Sequence, residues 1–146
     1  MALKVPEVCR FTVEGAPVPK ARARVAYKGG VTVSYTPEAT RAAQDAISWQ
    51  AKAAWGQREP LQGPVQLVVV CYLSIPPSWS AERIRQAEQG EILPIRRPDW
   101  DNLGKLVSDA LNGIAWKDDS QVVQATVGKW YSSRPRTVVI VGEIAP

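Results

Sequence analysis

Apolar residues recur in the second half of the chain at Leu103, Leu106, Val107, Ala110, Leu111 and Ile114. Those offsets trace one stripe of an amphipathic helix, and the spacing predicts a helix over residues 101–113. Asn112-Gly113 supplies its stop, since glycine enters the left-handed conformation without a steric cost. At 100° per residue, Asp101, Lys105, Ser108 and Asn112 fall on the opposite face, within about 60° of one another. A different pattern marks residues 65–73, a nearly continuous apolar run bounded by turn residues, which reads as a central strand.

The remaining elements follow from shorter signals. Residues 11–13 read as a short strand and 15–19 as a stiff loop. Residues 22–27 and 31–35 read as a hairpin across Lys28-Gly29-Gly30. Pro37 is expected at the first position of an alanine-rich helix that runs to about Trp55. A loop over 56–64 precedes the central strand. Residues 79–89 predict a short polar helix. Residues 119–130 and 137–144 predict a closing antiparallel pair across 132–136. Strands and helices alternate, with no repeat or low-complexity segment, so the fold class is α+β: one domain over 1–146, a mixed sheet with helices packed on it.

Composition narrows the chemistry. A chain of 146 residues can bury about two-thirds of its unfolded surface in one core. No run approaches the length of about 18 apolar residues that a membrane span needs. The N-terminus lacks the layout of a signal peptide, and the two cysteines, Cys9 and Cys71, are far apart, so a reduced, cytoplasmic protein is expected. The chain has no histidine. That removes the histidine-based nucleophilic mechanisms, histidine-ligated zinc and the usual general base. No glycine-rich phosphate loop appears, so no nucleotide cofactor is expected. Carboxylate–metal chemistry and lysine remain.

Charge then points to a place. Residues 99–119 carry five aspartates against two lysines, a net −3, inside a protein of net charge +4. Asp99 and Asp101 lie two residues apart at the predicted helix start, and Asp118-Asp119 opens the next element. An aspartate near a helix start is also an ordinary cap, and Asp101 with Lys105 an ordinary surface pair. The cluster as a whole argues for a bound cation, and converging carboxylates suit Mg²⁺. Alternation along the following strand turns adjacent carboxylates to opposite sides, so only one of Asp118 and Asp119 reaches the site, and spacing does not choose between them. Arg96 and Arg97 flank the cluster and suit phosphate. Residues 1–55 hold eight basic and four acidic residues, with Lys20, Arg22, Arg24 and Lys28 spaced as one face of an extended segment, a candidate DNA phosphate track. The same pattern also serves as a charged guard on a sheet edge. Of six tryptophans, Trp79 and Trp100 are the candidates for exposure near DNA, the others for core or dimer contacts.

The motifs Asp99-Trp100-Asp101-Asn102-Leu103-Gly104-Lys105, Asp109-Ala110-Leu111 and Trp116-Lys117-Asp118-Asp119-Ser120-Gln121-Val122 resemble the RusA family of Holliday junction resolvases. The stretch from Gly15 to Arg24 and Tyr35-Thr36-Pro37 resemble members from bacteriophages and prophages. The resemblance implies a homodimeric endonuclease of DNA recombination and repair. It would resolve four-way junctions by paired phosphodiester cleavage with Mg²⁺, for which Mn²⁺ can substitute. It carries the metal-binding, catalytic aspartates to Asp99, Asp101 and Asp119, and the catalytic lysine to Lys105. Pro98 departs from members with arginine before the first aspartate, so the role of Arg97 stays open. The alternative is a non-catalytic basic DNA-binding protein whose acidic cluster is only structural.

Overall fold

The computed structural model describes residues 3–21, 24–35 and 37–145. Ten elements follow in order: β1 (Glu7–Glu14), β2 (Arg24–Lys28), β3 (Val31–Tyr35), α1 (Glu38–Trp55), β4 (Val65–Ser74), α2 (Ala81–Glu88), α3 (Trp100–Leu111), a 3-10 turn (Asp119–Gln121), β5 (Val122–Ser132) and β6 (Arg136–Glu143). A four-stranded sheet has the order β1-β6-β4-β5, and β2 pairs with β3 in a separate hairpin. The sheet is mixed: β4 runs parallel to β5, while β6 is antiparallel to both β4 and β1. The α+β expectation holds. Among the described residues no helix is long and apolar enough to cross a membrane.

One expected pairing is wrong. β5 and β6 are joined by a short turn but do not pair, because β4 lies between them. The reason is legible in the burial of β4, whose Val65 through Cys71 are all buried. A strand that apolar belongs inside a sheet, with neighbours on both edges. β5 exposes Val123, Gln124, Ala125 and Thr126 and takes an edge. A parallel β4–β5 pair requires a crossover, and the segment that returns the chain carries α2 and α3.

Element boundaries shift for physical reasons. β1 is longer than the expected residues 11–13, because it pairs with β6 from Glu7 to Glu14. Pro37 caps α1 from just outside it instead of occupying its first turn. α2 is trimmed to Ala81–Glu88, with the Ser80 hydroxyl accepting from the Arg83 amide at 3.3 Å. Of the basic segment, Lys20 precedes the hairpin, Arg22 lies outside the described residues, and strand pairing begins at Arg24.

Helices α1 and α3 cover one face of the sheet. Ile47, Ala51 and Trp55 from α1 join Leu103, Leu106, Val107, Ala110 and Leu111 from α3 over Leu67, Val69, Cys71, Val139 and Val141. The α3 stripe is therefore buried as the periodicity predicts. Ile114 packs on the same core from beyond the helix end, after Gly113 at φ +84°. Burying side chains of this kind contributes about 1.5–3 kcal/mol each, which fixes the N-terminus of α3 over the sheet edge.

Candidate active site

The site begins where the chain enters α3. Asp99 stands at the N-cap position, yet its carboxylate makes no capping bond. Asp101 lies in the first turn, and both aspartates are exposed. Lys105, one turn on, pairs with Asp109 at 3.0 Å instead of with Asp101. Lys20 reaches the other Asp109 oxygen at 3.3 Å and also donates to the Gln44 side chain at 3.0 Å. The Asp109 carboxylate, by hydrogen bond and charge, raises the Lys105 ammonium above its ordinary pKa, with a smaller contribution from Asp119. Lys105 is therefore charged throughout the neutral range. The Lys20 amide donates to the Asn102 carbonyl at 2.8 Å, so the N-terminal segment is tied to this first turn.

The two adjacent aspartates sit on the 3-10 turn, and the strand alternation does not extend back to them. The β4–β5 register also shifts at this end, passing from Val122 to Gln124. Asp118 caps the turn: its side chain accepts from the backbone of Gln121, whose own side chain accepts from the Asp118 amide at 3.1 Å. A hydrogen bond from the Ser120 hydroxyl holds the Asp118 carboxyl below its usual pKa. Gln121 further accepts from the Lys117 amide and donates to the carbonyls of Leu61 and Gly63. Asp119 is half-buried, and its Oδ1 accepts from the indole of the fully buried Trp116 at 2.9 Å.

Positive groups surround the entrance. Arg97, Lys20, Asp99, Asn102, Pro17, Pro19 and Pro98 line an open depression of about 510 Å³. Arg96 and Arg97 are exposed, and Trp100 is 62% exposed. Trp79, by contrast, packs edge-on against Tyr131 beneath the Arg83 guanidinium. Trp49 is 73% exposed and no core residue.

Among the described residues, no three carboxylate or thiol groups stand together as a ready metal cage. The donors nonetheless fit a hard cation in kind. The Asp99 carboxylate makes no capping bond, Asp101 is exposed in the first helical turn, and Asp119 keeps one oxygen beyond its bond to Trp116. An ion that retains several waters needs only a few protein oxygens.

The sequence pattern gave no role to Lys129 or Gln121 and marked Trp116 only as a core or dimer contact; Trp116 is fully buried and in addition holds Asp119. Gln121 had a signal, because Asp118-x-x-Gln121 is the spacing of a capping box. Trp116 and Lys129 act on partners that only the fold identifies.

Comparison with known proteins places this geometry. The family model for endodeoxyribonuclease RusA matches residues 14–142, a span that includes every group just described. The chain belongs to the RusA endodeoxyribonuclease family. It is also similar to the uncharacterized protein YqaN of Bacillus subtilis strain 168, 36% identical over 141 residues, covering 93% of this chain and 96% of that protein. Within the matched span, α3 and the 3-10 turn carry the aspartates of the motifs that resemble the family, and Arg97 and Lys20 line the depression beside Asp99.

Proposed function

We propose that this RusA-family protein is a Mg²⁺-dependent, structure-specific endonuclease. As a homodimer in the bacterial or phage-infected cytoplasm, it would resolve four-way DNA junctions by paired cleavage. The observation that supports the reading best is the pair Asp99 and Asp101: two exposed carboxylates at the start of α3, the first making no capping bond and lining a depression together with Arg97 and Lys20. Repulsion between such charges and DNA is unfavourable unless a cation intervenes. Asp99, Asp101 and Asp119 would hold Mg²⁺, which supplies polarisation of the scissile phosphate and a more acidic bound water.

The chain's own groups account for the rest. Arg96 and Arg97 would bind phosphate oxygens through their planar guanidinium donors. Lys105, kept charged by Asp109, would stabilise negative charge developing on the phosphate. Trp116 would hold Asp119 in one orientation through its indole N–H. Homodimerisation would place two such sites on opposed strands, one cut from each protomer.

A synthetic four-way junction tests this directly. Incubation with Mg²⁺ should give paired nicks, EDTA should stop them, and Asp101→Asn should abolish cutting while junction binding persists or tightens. Normal cutting by Asp101→Asn, or cutting in EDTA, would remove the assignment. Binding without nicks under any metal would leave a non-catalytic DNA-binding protein.

A further inference from the structure

Lys129 lies on β5, the parallel edge strand, and its side chain points to the helix-covered side of the sheet. The residues on the same face fix that direction. Val127, two before it, packs against α3 so closely that a Cβ on Gly104 would come within 2.9 Å of its Cγ2. Tyr131, two after it, packs against Trp79 with ring centroids 5.3 Å apart. Between them the Lys129 ammonium donates to the carbonyl oxygens of Arg96 at 2.8 Å and Pro98 at 3.0 Å. These two carbonyls bracket Arg97 and immediately precede Asp99.

This contact has an unusual composition. A half-buried lysine normally meets a carboxylate. Among the described residues Lys129 instead meets two main-chain oxygens of an exposed loop. Main-chain carbonyls of a loop would otherwise be hydrated, so the ammonium replaces water with a fixed, charge-assisted anchor. The loop carries two exposed arginines and delivers Asp99 to its place; Pro94 before it is buried, but Ile95 is 95% exposed, so the apolar packing stops short of the arginines. The same strand β5 starts from the turn that bears Asp119. One strand therefore carries Asp119 at its start and anchors the loop of Asp99 from its middle.

We infer that Lys129 is a positioning residue. It ties the 96–98 loop to β5 and so sets the placement of Asp99 relative to Asp119. The consequence for metal binding rests on the function proposed above; the tether does not. Partners that orient a ligating carboxylate are worth about 10- to 100-fold in metal affinity when lost.

The test uses the full chain with Lys129→Met, which keeps the aliphatic stem and removes the donors, and Lys129→Arg, which keeps a charged donor. Three quantities are measured: the rate of trypsin cleavage at the exposed Arg96–Arg97 bond, Mn²⁺ affinity by calorimetry, and junction affinity in EDTA. Lys129→Met should be cut faster by trypsin, bind Mn²⁺ about 10- to 100-fold more weakly and lower kcat, with junction affinity in EDTA held within about twofold. Lys129→Arg should recover most of each loss. Unchanged trypsin sensitivity in Lys129→Met would overturn the tether. A loss of junction affinity in EDTA that matches the loss of cleavage would show Lys129 to be a phosphate contact instead, and overturns the positioning role. If the unaltered protein binds no Mn²⁺, the proposed metal site falls, while the trypsin rates still decide the tether.

Discussion

Asp118 and Asp119 are adjacent and chemically identical, yet their oxygens have different partners. The Asp118 carboxylate caps its turn and accepts from Ser120, whereas Asp119 has Trp116 on one oxygen and is close enough to Lys105 to raise its pKa. Asparagine caps a turn about as well as aspartate, so Asp118→Asn should melt close to the original protein and keep most cleavage. Asp119→Asn retains an acceptor for the indole, so it should fold normally but lose nearly all Mg²⁺-dependent cutting. Single-turnover cleavage beside a thermal melt separates these outcomes, and the opposite ranking would make Asp118 the third ligand. The sequence left this choice open because alternation assumes a strand, and here the backbone is a 3-10 turn. The placement of Asp101 and Lys105 was legible because helix spacing puts them on one face, and that of Asp99 because it stands just before the helix start; their catalytic roles came only from the family resemblance. Lys129 was not, since its partners are main-chain carbonyls 31 and 33 residues away. At Cys71, burial pushes the thiol up to about 11, which makes it a packing group and no nucleophile.

The contact between α3 and β5 turns on one missing Cβ. Gly104 is a helix-interior glycine, normally unfavourable by about 1 kcal/mol relative to alanine. Its presence follows from the 2.9 Å that an added Cβ would leave to Val127 Cγ2, a contact a stiff β-branched side chain cannot relieve. Overpacking costs about 1–3 kcal/mol, more than the propensity gained, so Gly104→Ala should destabilise despite being the better helix former. Adding Val127→Ala should return stability towards the original protein by opening the space. Chemical denaturation of the two single variants and the double variant measures this coupling; simple additivity of the two losses would contradict the close approach. At this scale the strong periods were legible and the strand partners were not. Helix α3 announces itself within its own residues. The insertion of β4 between β5 and β6 depends on where a buried strand finds two neighbours, and chain order suggested the wrong pair.

Over the whole molecule, the net +4 is carried by the first 55 residues, while the remainder is balanced. Sequence alone set Lys20 in the N-terminal basic track and Arg97 beside the acidic cluster, both as candidates for binding phosphate. The fold makes them unequal. The Lys20 ammonium already lies 3.3 Å from Asp109 and donates to Gln44, and its side chain is 28% exposed. Arg97 is exposed at the rim of the depression, and no ion pair to it occurs among the described residues. A cation with an internal carboxylate partner displaces fewer counterions from DNA than a free one. Each phosphate contact contributes a slope of about −0.9 to log K against log salt concentration. Arg97→Ala should therefore flatten the slope of junction binding, measured in EDTA, by about one. Lys20→Ala should flatten it by less than half as much and should also leave Asp109 with Lys105 as its one remaining cation among the described residues, so that the less compensated charge weakens binding through repulsion with little change in slope. Equal slope changes for the two variants would mean that Lys20 leaves Asp109 when DNA arrives. In that event the Lys20–Asp109–Lys105 bridge belongs only to the free protein.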